Sequence, residues 1–387
     1  MLKNLSIKVI IFGFIFTFFS SFGQSFFLGL FNESIRNELD ITHGQFGSIY
    51  ASATLLSSII LIWVGKKIDA FDVLKFSFFV ISLLAISTFT FSKINSITFL
   101  FIAILLMRFS GQGMMSHTAS TTISRYFTNT RGKALSTGWF GLSTAEFLMP
   151  VTIIYALTIM DWRNIWIVIS VAIIFFLPLV SYFLVKEVKL SSREDDNKVI
   201  KDYRFIIIAL NMLAMPWIAT GIFVYQSFIL SAKNWGEYTI AQSFMVYSIA
   251  SVLTLFVAGY LIDKFTSRKL LIYMNIPFLI SLLILIYFQS PVSSFFFLGL
   301  IGVSNGFANV LGSSTWAELY GVKFIGSIKA LTTALMVFST AFGTALFGLM
   351  IDFDFSIEQI SMISGGYILI SLILLFLIKN KLNPTIL

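Results

Sequence analysis

Two ionisable side chains stand deep inside otherwise apolar stretches of this 387-residue chain, and their chemistry is the place to begin. Arg108 lies 17 residues before Arg125, roughly 25 Å along a helix at 1.5 Å per residue. Its planar fork suits a carboxylate or phosphate, and a guanidinium in hydrocarbon has to meet an acid, backbone carbonyls or an anionic ligand. Two roles stand open: an anion-binding or gating arginine, or a structural one that pairs or bonds carbonyls and stiffens its helix. Glu146 lies 13 residues after Lys133. That sets it within about four residues of Arg108 in depth, roughly 6 Å. Long side chains on adjacent helices close such a gap, so an Arg108–Glu146 pair is expected. Burial favours a neutral carboxyl and a nearby cation favours the ionised one. Glu146 is therefore either the proton-coupling group, released when substrate competes for the arginine, or half of a permanent structural pair.

Neutral polar residues mark the rest of the candidate site. Gln112 is one helical turn from Arg108 on the same face. His117 titrates near neutrality, which makes it a second proton-coupling candidate, but nine residues at 100° set it about 180° round from Arg108. A packed, hydrogen-bonded histidine is the alternative reading. Gln24, Asn211, Gln226, Asn305 and Asn309 complete the substrate-binding candidates, with Asn305 and Asn309 spaced i, i+4. Pro216 and Gly221 interrupt the run between Asn211 and Gln226, and a broken helix frees backbone groups for a ligand, though a simple kink explains them equally well.

The elements that position these groups follow from composition. Hydrophobic residues make up 57% of the chain and charged ones 11%, against about 25% charged in soluble domains. This is an integral membrane protein. At roughly 20 residues per span, twelve helices are predicted near 9–31, 45–64, 74–92, 97–121, 134–157, 164–185, 204–229, 240–262, 270–288, 293–316, 329–350 and 361–378. The first is too long for a signal-peptide core and reads as an uncleaved span. With the N-terminus in the cytoplasm, 21 of the 26 Lys and Arg residues fall on cytoplasmic segments and four outside. That bias places both termini in the cytoplasm. The net charge of +8 thus reflects topology; without a basic stripe it does not suggest nucleic acid. Spans 6, 9 and 12 read as apolar, lipid-facing helices. Spans 1, 4, 5, 7, 10 and 11 carry the polar groups and are expected to line a hydrated pathway.

The chain also repeats itself. Gly259-Tyr260-Leu261-Ile262-Asp263-Lys264-Phe265-Thr266-Ser267-Arg268-Lys269 reads as a polar turn between two spans, with the glycine permitting close approach, Asp263 capping the next helix and the cations anchoring one side. Gly65-Lys66-Lys67-Ile68-Asp69 is a weaker copy, 194 residues earlier. Gly113 and Gly306 are 193 apart, and Lys133-Ala134-Leu135 and Lys329-Ala330-Leu331 are 196 apart. Two matching halves result, 1–185 and 204–387, as in duplicated transporters. The charged segment 186–203 joins them as a solvated linker.

These motifs resemble the major facilitator superfamily along the whole chain. The 259–269 turn is similar to its loop between spans 8 and 9. The 65–75 turn corresponds to the loop between spans 2 and 3, with Ala70 and Asp72 where the family has a base and a glycine. Arg108 with Gly111-Gln112-Gly113 resembles the span-4 motif, and Asp161-Trp162-Arg163 the usual start of span 6. The resemblance implies that Asp69, Asp263, Lys264, Arg268, Arg131 and Lys133 serve as gating or helix-capping groups. The span-5 glycine–proline motif of antiporters is unmatched, since no Gly-Pro pair follows Gly138 and Gly141; symport or facilitated transport is favoured. The cation-rich loops and the 316–329 segment resemble monocarboxylate and oxalate/formate branches. Span 8 nevertheless lacks their deep basic residue, and Lys329 stands only at the mouth of span 11.

No Walker loop, cysteine or metal-ligand set is present, so no cofactor is expected. A membrane-embedded enzyme would need clustered Asp, His or Ser–His groups, and the soluble segments are too short for a sensor. The expected protein is a twelve-helix, all-α secondary transporter of the cell membrane, built of two six-helix bundles and working as a monomer by rocking of the halves. Its expected cargo is a small organic anion, monocarboxylate-like, moved with protons. An exporter of amphipathic compounds, served by the aromatic-rich spans, is the rival.

Overall fold

The structure, a computed structural model, describes residues 2–65, 72–127, 131–188, 202–320 and 325–382. Hydrocarbon offers no partner for backbone N–H and C=O groups, so spanning segments close their hydrogen bonds internally. Among the described residues twelve helices are long and apolar enough to cross a bilayer: α1 Leu5–Gly23, α2 His43–Val64, α3 Val73–Phe91, α4 Ile97–Tyr126, α5 Ala134–Ile159, α6 Trp162–Val185, α7 Tyr203–Val224, α8 Tyr238–Ile262, α9 Ser267–Tyr287, α10 Ser293–Tyr320, α11 Leu331–Asp352 and α12 Ile357–Lys381. They fall into two compact units, Met1–Arg193 and Glu194–Leu387. In each unit the near end is the one at which its first helix begins.

Both first helices are interrupted. α1 tightens into a 3-10 turn at Ser21–Gly23, passes through Gln24 in an extended conformation (φ −84°, ψ 152°) and resumes at Ser25. α7 widens into a π-helix over Met215–Ala219. Pro216 sits at its start and has no N–H to offer the ladder. The chain then turns at Tyr225 and resumes as Gln226–Lys233. The interruption expected in span 7 is present; the one in span 1 carried no proline to announce it. α4 is a π-helix over Arg108–Met115.

Glycines let the interrupted helices press on their neighbours. A Cβ on Gly141 of α5 would fall 1.9 Å from the Phe14 carbonyl oxygen of α1, and Thr17 Oγ1 donates to the Gly138 carbonyl at 2.6 Å. In the second unit a Cβ on Gly343 of α11 would fall 2.1 Å from the Trp217 carbonyl oxygen of α7, and Tyr225 OH donates to the Thr344 carbonyl at 3.0 Å. α8 and α10 meet in the same way at Gly302 and Gly306.

The 259–269 stretch departs from its sequence reading. The helix containing α8 runs to Phe265, so Gly259 and Asp263 are helical and the turn is Thr266, at φ 73°. A Cβ on Gly259 would meet nothing within 4 Å, so no close approach depends on it. The next helix is capped from α10: the Glu318 carboxylate accepts from the Ser267 N–H at 2.9 Å and pairs with Arg268 Nε at 3.2 Å. Arg268 also donates to the Leu382 carbonyl. Asp69 lies outside the described residues, as do the side chains of Asp263, Arg131 and Lys133. Lys264 lies over the Phe265 ring, 5.3 Å from its centroid. Spans 9 and 12 are not simply apolar either. Asn275 Nδ2 on α9 donates to the Asn211 carbonyl of α7 at 2.7 Å, and Asn211 Nδ2 donates to Ser371 Oγ on α12 at 3.2 Å.

At the near end of the second unit, Asp202 caps α7 by accepting from the Arg204 N–H at 2.9 Å and also binds the Arg204 side chain and Tyr320 OH. Burial alone would raise this carboxyl. The Arg204 and Tyr320 hydrogen bonds outweigh it and hold Asp202 below the ordinary carboxylate range.

Two stability outcomes are expected for the detergent-purified protein. Gly141→Ala should cost about 1–3 kcal/mol because backbone has to move, whereas Gly259→Ala should be neutral or gain about 0.5–1 kcal/mol. Since the folded pKa of Asp202 is depressed, its contribution is present above the unfolded value near 3.9 and lost as pH falls through the folded one. Asp202→Asn should therefore melt lower than the native chain at pH 7, with the gap closing below about pH 4.

Candidate functional site

The break in α1 and the π-helix in α4 meet at a pair of glycines. A Cβ on Gly23 would fall 2.4 Å from both the Met107 carbonyl oxygen and the Gln112 nitrogen; one on Gly111 would fall 2.7 Å from the Gly23 nitrogen. Backbone thus touches backbone, with no room for a side chain. The interruption leaves the Gly23 carbonyl outside any helical ladder, and Arg108 Nη1 donates to it at 3.0 Å. The guanidinium carbon sits 5.3 Å from the centroid of the Tyr50 ring on α2. One arginine thereby ties α1, α2 and α4 together.

Arg108 is only 2% exposed, and its Nε has no hydrogen-bond partner among the described residues. The pair expected with Glu146 is not formed. Glu146 is 8% exposed on α5 and joins no ion pair among the described residues. Equal depth along two helices does not fix the direction in which each side chain leaves its helix. Arg108 turns to the carbonyl released in α1 instead. Ser21, Tyr50 and Thr54 add three buried hydroxyls without partners among the described residues in this unit.

The remaining candidates divide. Gln24 is half-buried at the break itself, and Gln112 is half-buried with its backbone against Gly23. His117 is half-buried as the second residue of the regular helix that follows Met115. The 100° wheel that opposed it to Arg108 does not hold, because the residues between them are π-helical, with bonds to i+5 in place of i+4. In the second unit Gln226 is buried at the α7 break, and its Nε2 donates to the Phe223 carbonyl at 3.1 Å. Asn211 is buried in the seam with α9 and α12, so its amide crosslinks helices and does not line an open passage. Asn305 Nδ2 donates to Ser251 Oγ on α8 at 3.0 Å, while Asn309 is exposed; the two do not act as a pair.

Sequence reasoning missed Gly23 and Tyr50, the two groups that Arg108 contacts. The run Ser20-Ser21-Phe22-Gly23-Gln24, small and polar within an apolar span, was the available signal for the first. Nothing local distinguishes Tyr50. Aromatic rings cluster within each unit: Trp166 lies against Phe22, Phe27, Phe31 and Phe91, and Trp217 against Phe342, Phe347 and Tyr367.

Two interrupted first helices in two six-helix units, each with buried polar groups at membrane depth, define a membrane transporter. The family model of the Major Facilitator Superfamily matches residues 13–243 and again 206–386, and the chain belongs to that superfamily. It is a multi-pass membrane protein and a transporter of a small solute, not an enzyme. Among solved structures it is similar to a bacterial homologue of the human lysosomal transporter Spinster in its inward-facing, unoccupied conformation. There the TM-score is 0.75 at 12% identity over 99% of both chains. The occupied form gives 0.72 at 14% identity over 99% of this chain and 98% of that one. The nucleoside transporter NupG gives 0.70 at 14% over 98% and 99%. No curated protein sequence matches the chain.

A double-mutant cycle tests the Arg108 contact. Arg108→Gln combined with Tyr50→Leu should show a coupling of about 1–2 kcal/mol in denaturation of the purified protein, the range of a desolvated cation–π pair. Tyr50→Phe keeps the ring and should preserve it. Additive single effects would mean that the ring and guanidinium do not interact.

Proposed function

We propose that this transporter moves a small organic anion, monocarboxylate-like, together with protons by alternating access. The supporting observation is that one unit holds a deep guanidinium and a deep carboxyl that do not neutralise each other. An uncompensated guanidinium in the membrane is costly, and an anionic substrate supplies the missing charge. Nη1 is held by the Gly23 carbonyl at the α1 break, so substrate binding and the state of the break are linked. Glu146, with no cation bonded to it, is the group that exchanges the coupling proton. Gln24 and Gln112, both at the break, supply neutral hydrogen bonds to the same ligand. The excess of Lys and Arg on one set of loops supports both chain ends facing the cytoplasm.

The fold leaves the cargo open, since its structural neighbours include a Spinster homologue and a nucleoside transporter. The exporter reading rested on aromatic-rich spans, yet Trp166 and Trp217 are spent in packing against other rings.

Uptake of labelled small carboxylates into proteoliposomes tests the proposal. Accumulation should depend on an inward proton gradient. Glu146→Gln should lower gradient-driven accumulation at least tenfold, a loss of about 1.4 kcal/mol or more, while retaining gradient-independent exchange. Uptake indifferent to the gradient removes the proton; uptake undiminished in a folded Arg108→Gln protein removes the anion.

A further inference from the structure

The far ends of the two units carry one device with its charges exchanged. In the first unit Glu38, at the end of the helix Asn32–Leu39 that extends α1, pairs with Arg163 in the first turn of α6. In the second, Lys233, at the end of the helix Gln226–Lys233 that extends α7, pairs with Glu358 in the first turn of α12 at 2.7 Å. Glu38 and Lys233 stand 195 positions apart, and so do Arg163 and Glu358. The surrounding frame repeats as well. The caps Asp161 and Ser356 are also 195 apart, and the left-handed residues Asp40 (φ 51°) and Asn234 (φ 50°) are 194 apart. Four equivalent positions therefore hold acid and base in one unit, base and acid in the other.

Either polarity would make a good local pair, so local attraction does not account for the reversal. What polarity alters is the choice of partner. If the end of α1 docked on the start of α12, Glu38 would face Glu358. If the end of α7 docked on the start of α6, Lys233 would face Arg163. Both alternatives set like charges together, and the Lys233 side chain is fully buried, where water screens little. The two halves share helix order, an interrupted first helix, a capped last helix and a left-handed turn, so each far end offers the other half's helix a similar docking frame, and charge is what tells them apart. Exchange of equivalent elements is how repeat proteins misassemble. We infer that the reversed ion pairs direct each first helix to the last helix of its own half during assembly, by penalising both half-exchanged arrangements.

The unit-1 pair is further anchored. Trp162 Nε1 donates to Glu38 at 3.3 Å, and Arg163 donates to the Ser92 carbonyl at 3.0 Å, so α1 and α6 are also tied to the loop before α4. The device makes no distinction between two copies of the chain, since the first half of one copy matches the first half of another. Its discrimination is between halves.

The test uses the full chain, whose lack of cysteine leaves introduced pairs unambiguous. Four forms carry the exposed probes Asn37→Cys and Gln359→Cys: otherwise native, Glu38→Lys with Arg163→Glu, Lys233→Glu with Glu358→Lys, and all four reversals together. Every form keeps opposite charges within each unit, but the two double reversals give both units the same polarity. Each double should yield severalfold less monodisperse protein than the native form, with a severalfold rise in intramolecular 37–359 disulfide. The fourfold reversal should restore both readouts. A double reversal that assembles like the native form overturns the inference, and so does a fourfold reversal that fails as the doubles do, because the positions would then act only locally.

Discussion

A backbone carbonyl inside a membrane has to be bonded by something, and the first unit is organised around one that its own helix does not bond. The α1 break frees the Gly23 carbonyl. The satisfying donor is a guanidinium, itself buried without an acid beside it and so in need of compensation. Two expensive groups meet each other's needs in part: the arginine fills the carbonyl, the Tyr50 ring faces the charge, and Gly23 against Gly111 permits the approach. Such an arrangement is stable only while α1, α2 and α4 hold their relative positions. It therefore couples the position of the guanidinium to the shape of the broken helix.

The second unit repeats the mechanical plan with different chemistry. α7 is broken at the corresponding level and pressed on α11 through Gly343, as α1 is pressed on α5 through Gly141. At mid-depth its buried polar groups are amides and hydroxyls: Asn211, Asn275 and Ser371 join α7, α9 and α12. These amide nitrogens bond across the helices, while the side-chain oxygens of Asn211 and Asn275 are buried without a partner among the described residues; the first unit instead buries a guanidinium at this depth. The asymmetry between the units lies in side chains laid over a common scaffold. At the far ends even the scaffold's ion pairs are inverted.

Much of the fold was legible in the residue order because hydrocarbon imposes a rule that acts on each segment separately. A run of about 20 apolar residues spans, and spacing near 194 marked the duplication. The interruption of α7 was visible through Pro216. That of α1 was not, because small polar residues in an apolar run are tolerated by a regular helix as well as by a broken one. The polar turn after α8 was placed too early, since Gly259 and Asp263 have helical conformations when the end of α10 supplies the cap from Glu318.

Arg108, Glu146 and the amide residues were named by type alone, as costly groups at membrane depth. That much the chain determines by itself: which residues are too polar for their surroundings, how many helices carry them, and that the pattern occurs twice. Tertiary structure alone decided their partners. Arg108 bonds a carbonyl 85 residues away and leaves Glu146 apart, and Asn211 faces α9 and α12. The physical reason is that depth follows from counting residues along one helix, whereas direction depends on local helix geometry and on which neighbour offers the missing hydrogen bond. The π-helix in α4 changed the first, and the break in α1 created the second.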